Sequence, residues 1–221
     1  MLFNRRAAED DTVVAMLASA IRRDISFGAL CPDEKLKIDD LRKRYGGSNH
    51  SMRETLRMLA SEGMVEATNQ RGFRVTSATE EDLADILLVR LEIEKLALSL
   101  AIERGSVEWE AAVVAAQHQM RRAEAAVQRD PNDVSALEWD EACRAYMLTL
   151  VSACGSPRLI EMAGRFYDQS RRFRLAHLRE GRLDFDARSR RHTALVTAIM
   201  DRDVPAALAL LEEDTRADMC G

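Results

Sequence analysis

The apolar residues of this chain change period once, and only for about a dozen positions. From Thr12 they recur every fourth residue, at Val13, Leu17, Ile21 and Ile25, one face of a helix that ends near Gly28. Cys31-Pro32-Asp33 reads as a turn. Leu36 to Tyr45 fits a short helix with Ile38 and Leu41 inward, broken by Gly46-Gly47. Asn49 to Glu62 fits another, with Met52, Leu56 and Leu59 on one face and Gly63 as its stop. Then Met64–Ala67 and Gly72–Val75 take on strand character, joined by the polar Thr68-Asn69-Gln70-Arg71. Two short strands across so short a connection form a hairpin. Three helices followed by a hairpin predict a winged helix-turn-helix.

Beyond the hairpin every pattern is helical. Thr76-Ser77-Ala78-Thr79 is small and polar, and Thr79 before Glu80, Glu81 and Asp82 reads as an N-cap with acids in the first turn. The expected domains are therefore residues 1–78 and 79–221. In the second, helices are expected at about 80–104, 107–129, 132–153, 156–179, 184–201 and 203–218. Asp130-Pro131, Gly155-Ser156-Pro157 and Gly181 supply the breaks, and Pro205 sits where a helix start tolerates it. Short connections predict an antiparallel helical bundle, so the fold class is mainly α. Composition agrees: aromatics are 5%, with only 10 Gly and 4 Pro in 221 residues, which suits helices and not a sandwich or barrel.

Several classes are excluded. Apolar residues at 47% rule out a wholly disordered chain. No run of about 18 apolar residues exists, so no membrane span is expected. Met1–Arg6 lacks the apolar stretch of a secretory signal. Cys31, Cys143, Cys154 and Cys220 form no C-x-x-C pair, and the simple expectation is a reducing, cytoplasmic setting. No Gly-rich phosphate loop, G-x-S-x-G or intact metal motif is present. A Cys143–His192 thiolate pair is the one catalytic arrangement the residues offer, and the reading here is not an enzyme.

The net charge of −5 conceals two unlike halves. Residues 1–78 hold 13 Lys/Arg against 11 Asp/Glu, a net +2, and the remainder holds 19 against 26, a net −7. Within the first half, Arg42, Lys43, Arg44, Arg53 and Arg57 surround the two short helices, and Arg71 and Arg74 sit at the hairpin. Ser48, Asn49, His50 and Ser51 are short polar residues at a helix start, able to approach base edges and phosphates. Arg53 and Arg57 are four apart on one side, and each can neutralise a phosphate or reach a guanine. The competing reading is a solvated charged helix.

Residues 12–75 resemble the winged-helix domain of GntR-family bacterial transcription regulators. Tyr45, Gly46, Ser48, Arg53, Glu54, Leu56, Leu59, Glu62, Gly63 and Val65 keep that family's pattern at unbroken spacing. The resemblance implies operator DNA as partner, read by Ser48, Asn49, His50, Ser51, Arg53, Arg57 and the wing residue Arg71. It also implies a homodimer on a pseudo-palindromic site. Asn49 stands where the family usually has Arg, Ser51 where Pro is common, and Asp39 where many members place a basic residue. These departures imply a different operator or weaker non-specific binding.

The second half resembles the FCD effector domain found in one large branch of that family. Arg90 and Glu94 match its Arg-x-x-x-Glu, and Tyr146, Ala198, Asp203 and Ala207 keep its frame. From the residues alone, Arg90 inside an apolar stripe is either half of a structural ion pair or an anion-binding group. Many FCD domains hold a divalent metal through Asp-x-x-x-His and two later His. Those slots fall here on Cys143, Met147, His192 and Asp214, of which only His192 keeps its type. Three readings stand open: a cavity that binds its effector without metal, an altered site of Cys143, His192 and Asp214 favouring zinc or copper, or a collapsed core. The first gives a small anionic effector, a carboxylate, held near Arg90, Glu94, Cys143, Met147, His192 and Asp214. An alternative function is an effector-binding or metal-sensing module with altered or lost operator binding. His118 is read as solvated, and His177 among Arg171, Arg172, Arg174 and Arg179 as a solvated basic face, with attraction of an anionic ligand as the alternative.

Overall fold

The computed structural model describes residues 2–68 and 72–220, with side chains described for 12–67 and 72–217. The chain divides into two compact units, Met1–Asp82 and Leu83–Gly221.

The first unit contains α1 (Leu2–Ser26), β1 (Lys35–Leu36), α2 (Ile38–Tyr45), α3 (Asn49–Ser61), β2 (Val65–Thr68) and β3 (Gly72–Val75). The four-residue apolar period of α1 places Leu17, Ile21 and Ile25 against Leu41 of α2 and Met52, Leu56 and Leu59 of α3. Two directional contacts fix the helices around this core. Asp24, buried in α1, accepts from Arg44 and from the Tyr45 hydroxyl, each at 2.6 Å. Arg22 donates to both oxygens of Glu62 at the end of α3. Between α2 and α3 the chain turns through Gly46 (φ 80°) and Gly47 (φ 82°), and a Cβ on Gly47 would meet Leu17 Cδ1 at 3.0 Å.

The strands form one antiparallel sheet in the order β1-β3-β2. Val65 pairs with Val75 and Thr68 with Gly72 in the hairpin. Leu36, expected at the start of a helix, is instead in β1 and pairs with Phe73. Lys37 is extended and serves as the N-cap of α2, so the helix starts at Ile38.

The second unit is all helical: α4 (Glu80–Arg104), α5 (Val107–Arg129), α6 (Asp133–Val151), a 3-10 turn (Ser152–Cys154), α7 (Pro157–Gln169), α8 (Arg171–Arg179), α9 (Phe185–Met200) and α10 (Val204–Cys220). The single helix expected over 156–179 is two helices, divided at Ser170. Neither Gly nor Pro marks the break. The Tyr167 carbonyl, which an unbroken helix would give to a backbone N–H, accepts from the Ser170 hydroxyl at 2.8 Å and from Arg174 Nη1 at 2.9 Å.

Nor is the helix that follows a solvated basic face. Arg171, Arg174 and His177 are buried. Asp140 of α6, fully enclosed, accepts from Arg171 Nε and from Arg174 Nε at 3.0 Å and Nη2 at 2.7 Å. Burial, aided by the charge of Arg182 and opposed by Glu180, lowers the basicity of His177. His118 is exposed on α5. Among the described residues no helix is long and apolar enough to cross a membrane.

Asp140→Ala leaves the buried Arg174 without its carboxylate and Arg171 with only the more exposed Glu141 and Asp168. The expected cost is about 3–5 kcal/mol of stability, read as a large fall in the thermal midpoint of the variant.

Candidate functional site

Two surfaces gather the candidate residues, one in each unit. In the first, Ser48 caps α3. Its hydroxyl accepts from the Ser51 backbone N–H at 3.0 Å, while the Ser51 hydroxyl accepts from the Ser48 N–H at 2.9 Å. Ser51 is therefore buried and committed to the cap, which corrects its reading as a DNA contact. Asn49, His50, Arg53 and Arg57 are exposed. Asn49, Arg53 and Arg57 recur every four residues, so they share one face of the helix. Arg42 of α2 reaches this face, donating to Asn49 Oδ1 at 3.2 Å and to the Gly47 carbonyl at 3.3 Å. Arg57 pairs with Glu54 on its own helix. Arg71 lies outside the described residues.

In the second unit a cavity of about 40 Å³ is lined by side chains from α4, α6, α7, α8, α9 and α10. Its basic wall is Arg90, Arg174, Arg188 and His192, and its apolar wall Met147, Leu150, Leu195 and Leu211. Tyr167 lies between two guanidinium groups, with Arg174 at 3.7 Å and Arg90 at 4.5 Å from its ring centre. Arg90 combines the two roles that its sequence left open. It donates from Nε to Glu94 Oε1 at 2.7 Å and from Nη1 to Ser170 at 3.2 Å, and it lines the cavity. Glu94 is fully buried beside Arg90 and is not part of the cavity wall, so it holds the arginine and is not itself an effector contact.

Cys143, Met147, His192 and Asp214 all meet at this cavity. Asp214 accepts from His192 Nε2 at 2.8 Å through Oδ2, and from Arg191 Nε at 2.9 Å through Oδ1. Burial alone would raise the Asp214 acid. The His192 hydrogen bond and the charges of His192, Arg188 and Arg191 overcome this and hold it well below the usual carboxylate range. Arg188, one turn before His192 on α9, donates from Nε to Glu124 Oε1 at 2.7 Å and from Nη2 to Cys143 Sγ at 3.3 Å. Burial pushes the Cys143 thiol up to about 12, against the opposing pull of Arg188.

This donor set does not fit a divalent metal. A cysteine ligates a metal as its thiolate, and Cys143 is a buried thiol under a guanidinium. Both Asp214 oxygens and His192 Nε2 are already engaged. Among the described residues no three His, Cys, Asp or Glu side chains converge on a point that would hold an ion. Cys143, His192 and Asp214 are engaged with Arg188, Arg191 and one another in this arrangement. A Cys143–His192 catalytic pair fails for the same reason: the sulfur faces Arg188, and His192 faces Asp214.

Comparison with known proteins identifies the family of both segments. Residues 14–75 match the family described as bacterial regulatory proteins, gntR family, and residues 85–217 match the FCD domain. The HTH-type transcriptional repressor GlaR of Escherichia coli K12 is 35% identical over 196 residues, covering 87% of this chain and 88% of GlaR. The chain belongs to the GntR family, with an FCD effector-binding domain. Among solved structures, E. coli McbR/YncC superposes with a TM-score of 0.73 at 20% identity, over 94% of this chain and 95% of that one. A GntR regulator from Rhodococcus sp. RHA1 gives 0.70 at 20% identity, over 94% and 97%. The matched families and relatives are transcriptional regulators, not enzymes.

Within this GntR/FCD frame, sequence reasoning missed Arg188, Glu124 and Tyr167. Two signals were available. Glu124 falls on the same stripe as Met120 and Val127, where an acid demands a buried partner. Arg188 is four residues before His192 and so shares its face of α9.

Asp214→Asn tests the electrostatics of the cavity. The wild-type acid is depressed in the folded state, so its contribution is full above the unfolded value near 4 and lost as pH falls below it. The variant is expected to be about 2 kcal/mol less stable at neutral pH. In urea titrations that gap should hold down to about pH 4 and narrow below it.

Proposed function

We propose that this GntR/FCD regulator binds a pseudo-palindromic operator as a homodimer, and that a small carboxylate entering the FCD cavity without a metal ion changes its operator affinity. The carrying observation is the cavity lining itself: three arginines, and a histidine paired with the one acid, Asp214, together with four apolar side chains, a surface suited to a short-chain anion. The exposed Asn49–Arg53–Arg57 face of α3 supports the DNA half of the reading. Arg53 is the main base or phosphate contact, and Asn49 reads from a side chain positioned by Arg42. Arg71 of the wing completes the contact set. In this chain the fixed guanidinium charges supply the attraction for an anion directly. Coupling requires only that the effector favour one of two states that differ in operator affinity.

Operator fragments recovered by selection from a random duplex library provide the DNA for titration. Arg53→Ala is expected to lose operator binding in fluorescence anisotropy at matched salt. Arg57→Ala should weaken all sequences alike and reduce the slope of log affinity against log salt by about 1. Unchanged affinity in Arg53→Ala would remove α3 as the recognition helix.

A panel of organic acids, each added to the full-length protein, is expected to include members that raise the melting temperature and shift operator affinity. At 100 times the dissociation constant the stabilisation is about 2.7 kcal/mol. EDTA should leave that response unchanged, and elemental analysis of the purified protein should find no stoichiometric metal. Stoichiometric metal that disappears in His192→Ala would overturn the metal-free reading.

A further inference from the structure

Asn49 opens α3 with a carboxamide whose two ends are not equivalent. Arg42 of α2 donates from Nη1 to Asn49 Oδ1 at 3.2 Å and from Nε to the Gly47 carbonyl at 3.3 Å. A guanidinium has N–H donors only, so the atom of Asn49 that meets it is the oxygen. The amide nitrogen lies on the other side of Cγ, and among the described residues nothing accepts a hydrogen bond from it. The same is true of Arg42 Nη2. Asp39 Oδ1 stands 3.8 Å from Arg42 Nη1, beyond hydrogen-bond reach. Asn49 is exposed, and the Arg42 side chain is 39% exposed.

The anchor of this arrangement is fixed. Gly47 has φ of 82°, and a Cβ there would meet Leu17 Cδ1 at 3.0 Å and Ser51 Oγ at 3.1 Å. Leu17 and Ser51 are both buried, so the turn lies close against the core of the unit and the cap of α3. The Gly47 carbonyl thus holds Arg42 Nε in one place. The guanidinium is planar and rigid, so Nη1 follows, and with it the Asn49 oxygen.

An asparagine in the major groove ordinarily reads adenine, donating from its amide nitrogen to N7 and accepting from the N6 amino group at its oxygen. Here that oxygen already faces a cationic donor. What the pair presents to solvent is donors on both sides, Asn49 Nδ2 and Arg42 Nη2. The N6 amino group of adenine and the N4 amino group of cytosine would each bring a donor against them. Thymine offers one acceptor beside a methyl group, whereas guanine offers two, N7 and O6. We propose that Arg42 determines operator specificity: by holding Asn49 Oδ1 it makes the Asn49 amide a donor that selects guanine at the base it meets. Arg42 acts through Asn49 and is a positioning residue. This rests on the reading of α3 as the helix that enters the major groove, and it adds which base edge the first residue of that helix takes.

The test uses the full-length protein and an operator recovered by selection from a random duplex library. Each of the four bases is placed in turn at each position, and affinity is read by fluorescence anisotropy at matched salt. Asn49→Ala marks the position that Asn49 reads, where the four bases should become nearly equal. There the wild-type protein is expected to bind guanine about five-fold or more tightly than adenine. Arg42→Ala frees the amide to turn, and the guanine-to-adenine ratio at that position should fall about five-fold, with preferences elsewhere retained. Arg42→Met, which keeps the stem without its donors, should do the same. Adenine preferred by the wild-type protein at the marked position would overturn the proposal. So would a ratio that stays unchanged in both Arg42 variants; a uniform loss of affinity with that ratio intact would make Arg42 a phosphate contact only. If Asn49→Ala flattens no position, Asn49 reads no base and the proposal fails, while Arg53→Ala still tests α3 as the recognition helix. If selection enriches no sequence, the operator reading fails with it. Should the Arg42 variants bind too weakly to titrate, the base preferred by the wild-type protein at the marked position decides alone.

Discussion

The helical unit is organised around arginines that cannot be buried unless a carboxylate meets each of them. Arg90, Arg171, Arg174 and Arg188 are all buried, and each has its acid: Glu94, Asp140 for two of them, and Glu124. A guanidinium removed from water without such a partner would cost more than the marginal stability of a domain can offset. Apolar side chains tolerate some sliding of one helix along another. Bonds from Asp140 on α6 to two arginines of α8 tolerate none, and the Arg188–Glu124 pair does the same for α9 against α5. The ion pairs thus set the register in which the apolar stripes interlock.

The same pairs create the cavity wall. Arg90, Arg174 and Arg188 each give part of the guanidinium to a carboxylate and also line the cavity. Their charge is permanent across the physiological pH range, unlike that of a thiolate, which must be formed before it can bind a metal. Once Arg188 lies against Cys143, a protonated sulfur is the compatible state and an additional cation is not. Loss of the family's ligand types at Cys143 and Met147 and the presence of Arg188 are two aspects of one electrostatic arrangement.

What was legible in the sequence follows the range of the interactions involved. The winged domain could be read because its signals are local: a period that switches from helical to strand-like, a Gly46-Gly47 turn, and a glycine stop at Gly63. β1 escaped because two residues cannot display an alternation. The break at Ser170 escaped because it depends on Arg174 and the Ser170 hydroxyl taking the Tyr167 carbonyl, with no Gly or Pro to announce it. Arg171 and Arg174 were read as solvated since their partner, Asp140, lies more than thirty residues away along the chain. The four slots at Cys143, Met147, His192 and Asp214 could be placed by family spacing, and they do meet. Which groups occupy the space between them could not be read from spacing at all.

The cavity as it stands is small, about 40 Å³, against the roughly 150 Å³ of a cavity that takes up benzene. A carboxylate with several carbons therefore enters only if the wall moves, and the wall is not uniformly free to do so. Arg90, Arg174 and Arg188 are each held by a carboxylate, so the charged side is fixed. Met147 and Leu211 are held by packing alone, and the unbranched Met147 side chain adapts at low cost. Expansion on that side engages α6 and α10, the helices that carry Met147 and Leu211. An effector that fits only the expanded cavity binds the two states of this unit unequally. That inequality is the thermodynamic requirement for its binding to be felt elsewhere in the protein.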